Sequence, residues 1–279
     1  MTQIPSDACG TLYLWPDSFL YVGRDVAPGM HRHNAVECAI ALDGPLRVRT
    51  EDGIDTQVDR AVLVDANVKH CISSPGRDVA FLYLEKTSCP YWSVPECATE
   101  WSAPGICSLQ APIGAALRAK IARAWPGALD DAEASAAKAE ILSLLAPAGA
   151  DRPPLDPRVG AVIAYIASHT DVSLSGDRLA ALAGLSPSRF QHLFKQIVGM
   201  PVRRYILWFR IRRVIEAMHD GASLTRAAHE AGFSDSAHFT RTFKAMIGLP
   251  PSDLFGRKPR VNIALCNLPE QARRSFPRK

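Results

Sequence analysis

The sequence predicts a two-domain α+β protein, with an N-terminal antiparallel β-barrel or jelly roll closed by two helices and a C-terminal all-α domain of two helix-turn-helix units. Three observations predict this class. Short β-branched and aromatic runs separated by turn residues fill the first ~110 residues. Helix-forming residues dominate after Pro112, and one segment of the C-terminal third occurs twice.

Composition sets the domain boundaries. The segment AGADRPPLDP, residues 148–157, is rich in structure breakers and has little to bury, which is typical of a linker. It separates a first domain, residues 1–147, from a second domain, residues 158–255, and a basic tail follows over residues 256–279.

The two halves of the chain differ in charge. Residues 1–155 hold 13 Lys and Arg against 19 Asp and Glu, a net −6, whereas residues 156–279 hold 19 against 9, a net +10. A basic half attached to an acidic half favours a polyanion as the partner of the basic half.

The chain is predicted to be cytoplasmic and free of the membrane. Its apolar runs fall short of the ~20 residues that a membrane span needs, and its start, MTQIPSDACG, lacks the regions of a signal peptide. The seven cysteines are scattered without a CxxC pair, so we expect free thiols in a reducing compartment.

Six apolar runs predict the strands of the first domain: TLYLWP, FLYVGRDV, ECAIAL, LRVRT, RAVLVD and VAFLYLE. Residues 113–146 are rich in Ala, Leu, Lys and Glu, and Pro126 with Gly127 divides them into two helices, the second over about residues 130–145. These helices either pair with a second subunit or cover the barrel, and both interpretations stay open here.

A duplication lies in the second domain. LAALAGLSPSRFQHLFKQIVGMP, residues 179–201, and AAHEAGFSDSAHFTRTFKAMIGLP, residues 227–250, both contain Gly, an apolar residue and Ser, followed by F-x3-F-K-x3-G-x-P. Each copy is typical of a helix-turn-helix unit.

The residues of the first copy give the physical reasons for predicting a helix-turn-helix unit. Asp177 is expected to cap the first helix, Gly184 to permit the turn, and Ser186 to cap the second helix. Phe190 and Phe194 are four residues apart and share its buried face. The corresponding residues of the second copy are Gly232, Ser234, Phe239 and Phe243.

Polar residues occupy the opposite faces of the two second helices. They are Ser188, Arg189, Gln191, His192 and Lys195 in the first copy, and Ser236, His238, Thr240, Arg241 and Lys244 in the second. Arg reads guanine and Gln reads adenine in the major groove, each pair being worth ~1–3 kcal/mol, while Ser, Thr and Lys suit phosphates. A single polar face is usually just solvated, but two copies with matched turns favour DNA binding.

A helix of 18 residues, 202–219, is predicted between the copies. It rises ~27 Å, against the ~34 Å between successive major-groove faces, so binding of both units to one duplex would bend the DNA somewhat. Five arginines on it can reach phosphates or pair with acidic neighbours: Arg203, Arg204, Arg210, Arg212 and Arg213.

Residues ~158–255 resemble the DNA-binding domain of the AraC/XylS family of bacterial transcription regulators. The stretch EAGFSDSAHFTRTFKAMIGLPPSDL is similar to the signature of that family, with Leu254 and Phe255 where an aromatic-Arg ending is common. The resemblance implies promoter binding as a homodimer, contact with RNA polymerase, and control by a small-molecule effector bound in the first domain.

The segment GMHRHNAVE with Gly44 resembles the first motif of cupin barrels, and His70 falls at the histidine of the second. In cupin enzymes the corresponding set, His31, His33, Glu37 and His70, ligates a divalent metal. In AraC-type regulators such histidines often line an effector pocket without metal, so we expect effector contacts and no cofactor, with a metal as the alternative. Strand alternation would place residues 31, 33, 35 and 37 on one face, where Ala35, Ala39 and Ala41 would leave a cavity.

Three other functions remain open from the sequence. The first is a cupin metalloenzyme with an accessory helical domain. The second is an architectural DNA-bending protein without an effector. The third is a thiol sensor using Cys38 and Cys71, which alternation points away from Glu37 and His70.

Overall fold

The structure, a computed structural model, describes residues 9–266 apart from residues 16–17, 25–28, 34, 60, 85–97, 110–112, 126–128, 146–154, 170–173, 248–249 and 257–260. The chain divides into two compact units, a sheet domain from residues 1–151 and 248–270 and a helical domain from residues 152–247. The predicted linker, residues 148–157, lies outside the described residues up to residue 154, and Pro157 already begins a helix.

The sheet domain contains two sheets and, before the helical domain begins, two helices in its described part. The larger sheet has eight strands in the order β11-β1-β2-β8-β3-β6-β10-β9, and the smaller has three in the order β5-β4-β7. The strands are β1 Gly10–Leu14, β2 Ser18–Arg24, β3 Val36–Ala41, β4 Leu46–Thr50, β5 Asp55–Val58, β6 Ala61–Val64, β7 His70–Ser73, β8 Asp78–Leu84, β9 Ala98–Ala103, β10 Ile106–Leu109 and β11 Val261–Leu265. The helices are α1 Ala115–Ala122 and α2 Asp131–Leu145.

The central strand β3 explains how the layers pack. Its even-numbered side chains, such as Cys38 and Ile40, join an apolar cluster with Ile121 of α1 and Ile141 of α2. Its odd-numbered side chains, such as Ala39, join a second cluster with strands of the smaller sheet. The strand is therefore buried on both faces, and the two helices cover the larger sheet, as one of the two sequence interpretations expected.

The prediction of a closed antiparallel barrel is wrong, and a jelly roll is not confirmed. Closure requires the edge strands to pair, but β11 and β9 lie at opposite ends of the larger sheet. Moreover, β11 pairs with β1 in the parallel direction. Alternation in a sequence indicates strands and their faces, whereas the pairing of edges depends on tertiary contacts.

Strand β11 lies in the segment that the sequence analysis assigned to a basic tail. It pairs with β1 over five residues, from Gly10 opposite Val261 to Leu14 opposite Leu265. The following residue, Cys266, is buried, and its backbone N–H donates to the Leu14 carbonyl at 2.9 Å. The chain therefore returns to the sheet domain after the helical domain.

We expect Val261→Ala to destabilise the sheet domain by about 1.5 kcal/mol, because it removes two buried methyl groups at about 0.8 kcal/mol each. Val261 is 3% exposed. Urea unfolding of the full chain measures the loss. The control Ile263→Val removes one methylene from a partly exposed position of the same strand and should cost less than half as much; equal effects would contradict this packing.

The helical domain has six helices in its described part. They are α3 Pro157–Ser168, α4 Gly176–Leu182, α5 Pro187–Val198, α6 Val202–His219, α7 Leu224–Glu230 and α8 Ser236–Ile247. A short helix α9, Ser252–Phe255, follows in residues grouped with the sheet domain. The predicted repeat thus forms two helical pairs, α4 with α5 and α7 with α8, on either side of the 18-residue helix α6. None of the helices in the described part of the chain has the length and hydropathy needed to span a lipid bilayer.

Candidate DNA-binding surface and buried histidine cluster

The two helix-turn-helix turns have the same backbone geometry. Gly184 and Gly232 have φ of 64° and 84°, in the left-handed region that favours glycine. The N–H of Leu185 donates to the Ala180 carbonyl at 3.0 Å, and the N–H of Phe233 donates to that of Ala228 at 2.9 Å. Both first helices therefore end in a Schellman motif, which sets the angle at which the second helix leaves.

The helix caps differ from those that the sequence predicted. Ser175, and not Asp177, caps α4, since its hydroxyl accepts the Arg178 N–H at 3.2 Å. Ser186 stands at the N-cap of α5 but makes no side-chain cap bond. The N–H three residues into the helix is the usual partner of a cap, and Asp177 lies too far into the helix to reach it.

The second copy has one more residue in its turn than the first, and this residue is Asp235. Its carboxylate accepts the His238 N–H at 2.6 Å, so Asp235 caps α8 in place of the predicted Ser234. This hydrogen bond holds the pKa of Asp235 below its usual range. The extra residue thus supplies the cap that Ser186 does not provide in the first copy.

The predicted DNA-contact face of α5 is fully exposed. Phe190 and Phe194 are 0% exposed, and the opposite side chains are all exposed: Ser188, Arg189, Gln191, His192 and Lys195. Gln196 is also exposed on this helix, and the sequence analysis missed it.

Fewer of the predicted side chains are exposed on the corresponding face of α8. Arg241 and Lys244 are exposed, but Ser236, His238 and Thr240 are partly buried. The Thr240 hydroxyl donates to the Ser236 carbonyl at 2.8 Å, and the His238 ring packs edge-on against Phe233. Ala237 is exposed and was missed, because its small apolar side chain gives no polar signal in the sequence.

The five arginines of α6 divide into an exposed pair and three partly buried side chains, Arg210, Arg212 and Arg213. Arg203 and Arg204 are exposed. Arg212 pairs with Glu216 at 2.8 Å, as the sequence analysis allowed. Arg210 donates to the Gly232 carbonyl at 2.8 Å and thereby ties α6 to the second turn; burial lowers its pKa. No local sequence pattern predicts this role, because Arg210 and Gly232 are 22 residues apart.

We expect Gly232→Ala to destabilise the helical domain by about 1–2 kcal/mol, because an L-residue strains at positive φ. A Cβ there would also lie 3.1 Å from the Arg210 guanidinium. Thermal unfolding measures the loss. The control Gly176→Ala, at the start of α4 with open space around it, should be neutral or stabilising. Equal destabilisation by both changes would contradict the left-handed turn.

The predicted ligands His31, His33, Glu37 and His70 come together. One ligand atom from each residue lies within 4.8 Å of the others. His33, Glu37 and His70 are 5%, 1% and 0% exposed, and His31 is partly buried. Strand alternation is not the cause, because β3 begins at Val36 and the two first histidines precede it. The expected face of residues 31, 33, 35 and 37 is therefore not a strand face.

Backbone hydrogen bonds hold the histidines instead. His31 and His70 exchange N–H to carbonyl hydrogen bonds of 2.9 Å in each direction, as an isolated β-bridge. The Asn67 N–H donates to the His33 carbonyl at 2.7 Å. The segment before β3 is thus fastened to the segment that leads into β7.

Each imidazole of the cluster uses its Nδ1 in the same way. The Nδ1 atoms of His31, His33 and His70 lie 2.9, 2.9 and 3.0 Å from the carbonyl oxygens of Gly29, Ala35 and Val68. A carbonyl only accepts, so each Nδ1 carries the proton, and in a neutral ring Nε2 keeps a free lone pair. Nε2 of His33 and of His70 lie 2.5 and 3.2 Å from one oxygen of Glu37.

The surroundings shift the pKa values of the cluster. Burial raises the pKa of Glu37, but the contacts and charges of His33 and His70 outweigh it and hold that pKa well below its usual range. Burial lowers the pKa of His31. For His70 burial also acts downward, but Glu37 raises the pKa overall. The cluster therefore keeps an anionic carboxylate among imidazoles.

Tyr83 is a neighbour that the sequence analysis missed. It lies opposite Glu37 in the pairing of β3 with β8, and its ring meets that of His33 edge-on at 5.0 Å. Burial and the Glu37 charge raise its pKa well above the usual value. Strand register, which the sequence does not show, brings it there.

The small residues of β3 were expected to leave a cavity. Ala39 lies opposite Phe81 of β8, and both belong to the same packed apolar cluster. The large side chain of Phe81 therefore packs in the same cluster as the small side chain of Ala39, where a cavity was expected. Cys38 packs on the other side of β3, as predicted, and Cys71 lies 3.2 Å from the Arg49 guanidinium.

Comparison with known proteins identifies the helical region. Residues 179–257 match a family model described as "Helix-turn-helix domain". The chain is 32% identical over 116 residues to the arabinose operon regulatory protein of Escherichia coli strain K12, and this alignment covers 39% of each of the two chains. It is 29% identical over 98 residues to the transcriptional activator RhaS of E. coli strain SE11, covering 35% of each. The match thus spans about two fifths of the length of these curated relatives.

Solved structures share the fold over most of the chain. An apo form of ToxT from Vibrio cholerae superposes with a TM-score of 0.56 at 11% identity, covering 88% of this chain and 98% of that one. ToxT bound to an unsaturated fatty acid gives a TM-score of 0.52 at 12% identity, covering 89% and 98%. The fold of the chain, with N-terminal sheets followed by C-terminal helices, is therefore one that occurs in solved structures.

Proposed function

We propose that this chain is a sequence-specific DNA-binding transcription regulator of the AraC type, because its helical region matches a helix-turn-helix family model and the arabinose operon regulatory protein. The observation that carries the proposal is the pair of matched helix-turn-helix units. Each has a left-handed glycine in its turn and a polar helix face opposite two buried phenylalanines.

Electrostatics supports a nucleic acid as the partner. The C-terminal half of the sequence has a net charge of +10, and exposed cations lie on both second helices and at the start of α6. Phosphate contacts by such side chains make affinity fall steeply with salt. The exposed Arg189, Gln191 and Arg241 are the side chains suited to base edges, whereas Lys195 and Lys244 suit phosphates.

Two recognition helices in one chain suit neighbouring grooves of a single promoter duplex. The 18 residues of α6 rise ~27 Å, less than the ~34 Å between groove faces, so binding of both units bends the DNA. We further propose that the protein works in the cytoplasm as a homodimer and contacts RNA polymerase, as the family resemblance implies.

The sheet domain is proposed to bind the effector. His31, His33, Glu37 and His70 are the polar groups that converge there, so they are the proposed contacts. An effector that binds one arrangement of the chain more tightly than another would shift DNA binding. The matched relatives are an operon regulatory protein and a transcriptional activator, which favours this function over a metalloenzyme.

Genome-wide footprinting of the bound protein tests the proposal. We expect discrete protected sites near promoters, and mobility-shift assays on those sites should give binding at least about 10³-fold tighter than binding to random DNA. Equal affinity for all sequences, with a preference for bent DNA only, would favour the architectural alternative. Failure to bind any promoter fragment, including those beside its own gene, would overturn the proposal.

A further inference from the structure

We propose that His31, His33, Glu37 and His70 bind one divalent transition-metal ion. This inference concerns the sheet domain alone and does not depend on DNA binding. It starts from the convergence of three imidazoles and one carboxylate whose ligand atoms all lie within 4.8 Å of one another. Ligands at ~2.0–2.1 Å from a metal lie roughly 3–4 Å apart, so small side-chain movements complete the shell.

The tautomers of the histidines favour a cation at the centre. All three Nδ1 atoms donate to backbone carbonyls, which leaves Nε2 as the nitrogen of each ring that can ligate a metal. Such carbonyl contacts are the arrangement that orients metal-binding histidines in proteins and increases their basicity. In their neutral form, three rings held in this way offer the Nε2 lone pair to a metal ion.

The contacts with Glu37 lead to the same conclusion. Nε2 of His33 and Nε2 of His70 both face one oxygen of the carboxylate. In the structure, each of these contacts is a hydrogen bond to the Glu37 carboxylate. The three ring centroids are only 4.8–5.6 Å apart, so one divalent ion could replace the protons and attract all four donors at once.

The site is also preorganised by the backbone. The β-bridge between His31 and His70 and the hydrogen bond from Asn67 to the His33 carbonyl fix three ligands before any ion binds. His31 is the ligand with solvent exposure, so an ion would enter and leave beside it. Little conformational entropy remains to be lost on binding, which favours tight association.

The donor set selects the class of metal. Three imidazole nitrogens and one carboxylate suit Zn²⁺, Fe²⁺, Mn²⁺ or Ni²⁺. Mg²⁺ and Ca²⁺ prefer shells of oxygen atoms and should bind poorly.

The proposal is tested by treating the full-length chain with a chelator and then titrating it with Zn²⁺ alone in a calorimeter. We expect saturation at one ion per chain, a rise in melting temperature on binding, and no such binding of Mg²⁺. Co²⁺ should give a visible spectrum of nitrogen and oxygen ligation that Zn²⁺ abolishes. No saturable site for Zn²⁺ or Co²⁺ in the folded wild-type chain would overturn the proposal without any variant.

Two variants locate the ion. His31→Ala changes the most exposed ligand and Glu37→Gln keeps the shape of its side chain, and each should weaken Zn²⁺ binding at least tenfold, since even loss of an outer-shell partner costs about 10–100-fold. The control His219→Ala removes an exposed histidine of α6 and should bind as the wild type does. Unchanged affinity in His31→Ala and Glu37→Gln would overturn the assignment. A mobility-shift assay on the same metal-free preparation separates this result from the outcome for DNA binding.

Discussion

Phe239→Ala is expected to lower the free energy of unfolding of the helical domain by about 3–5 kcal/mol, because it leaves a cavity in a closely packed core. Phe239 is 0% exposed, and its ring contacts those of Phe233 and Phe243 at centroid distances of 5.3 and 5.4 Å. A loss of this size is a large part of the 5–15 kcal/mol that stabilises a typical domain. Chemical denaturation followed by circular dichroism measures it.

DNA binding should fail together with the fold of the second unit, since Phe239 fixes α8 against its turn. The control is Leu182→Ala, which truncates a large apolar side chain that is 44% exposed on α4 and should change stability by less than about 0.5 kcal/mol. If the two variants were equally stable, the assignment of Phe239 to the buried face would be wrong.

The sequence predicts the helical domain well because its signals are local. Phe190 and Phe194 define a buried helix face within five residues of chain, and Gly184 marks the turn beside it. The predictions of the helix caps that proved wrong also concern local structure, but the caps depend on hydrogen-bond geometry that the sequence does not show. The choice of Ser175 over Asp177 as a cap follows from which oxygen reaches the Arg178 N–H.

In the sheet domain, the pairing of the strands could not be predicted from the sequence. Each of the six predicted runs overlaps a strand. The pairing of the strands, however, places Tyr83 beside Glu37 and brings β11 to β1 over about 250 residues of chain. No periodicity encodes such register. The four candidate ligands were found from residue type and motif, but loop backbone hydrogen bonds, and not strand alternation, bring His31 and His33 to His70.

Arg241→Ala is expected to cost about 1–3 kcal/mol of binding to the specific site and to relax the preference for one base pair. Arg241 is exposed on α8, where the partly buried Ser236 and Thr240 contribute less, so it is the principal candidate for base reading in the second unit. Its guanidinium suits the two acceptors of a guanine edge. Mobility-shift titrations against a footprinted site and against each single-base change at every position measure both effects.

Lys244→Ala is the matched control, because it removes one exposed cation from the same helix. If Lys244 contacts a phosphate, this change weakens binding to all sequences alike. It also reduces the slope of log affinity against log salt concentration by about one. The two variants therefore separate base reading from charge. Should Arg241→Ala also weaken every sequence equally, with the same change in salt slope, Arg241 would be a phosphate contact and the specificity of the second unit would have to come from other side chains of α8, such as Ala237.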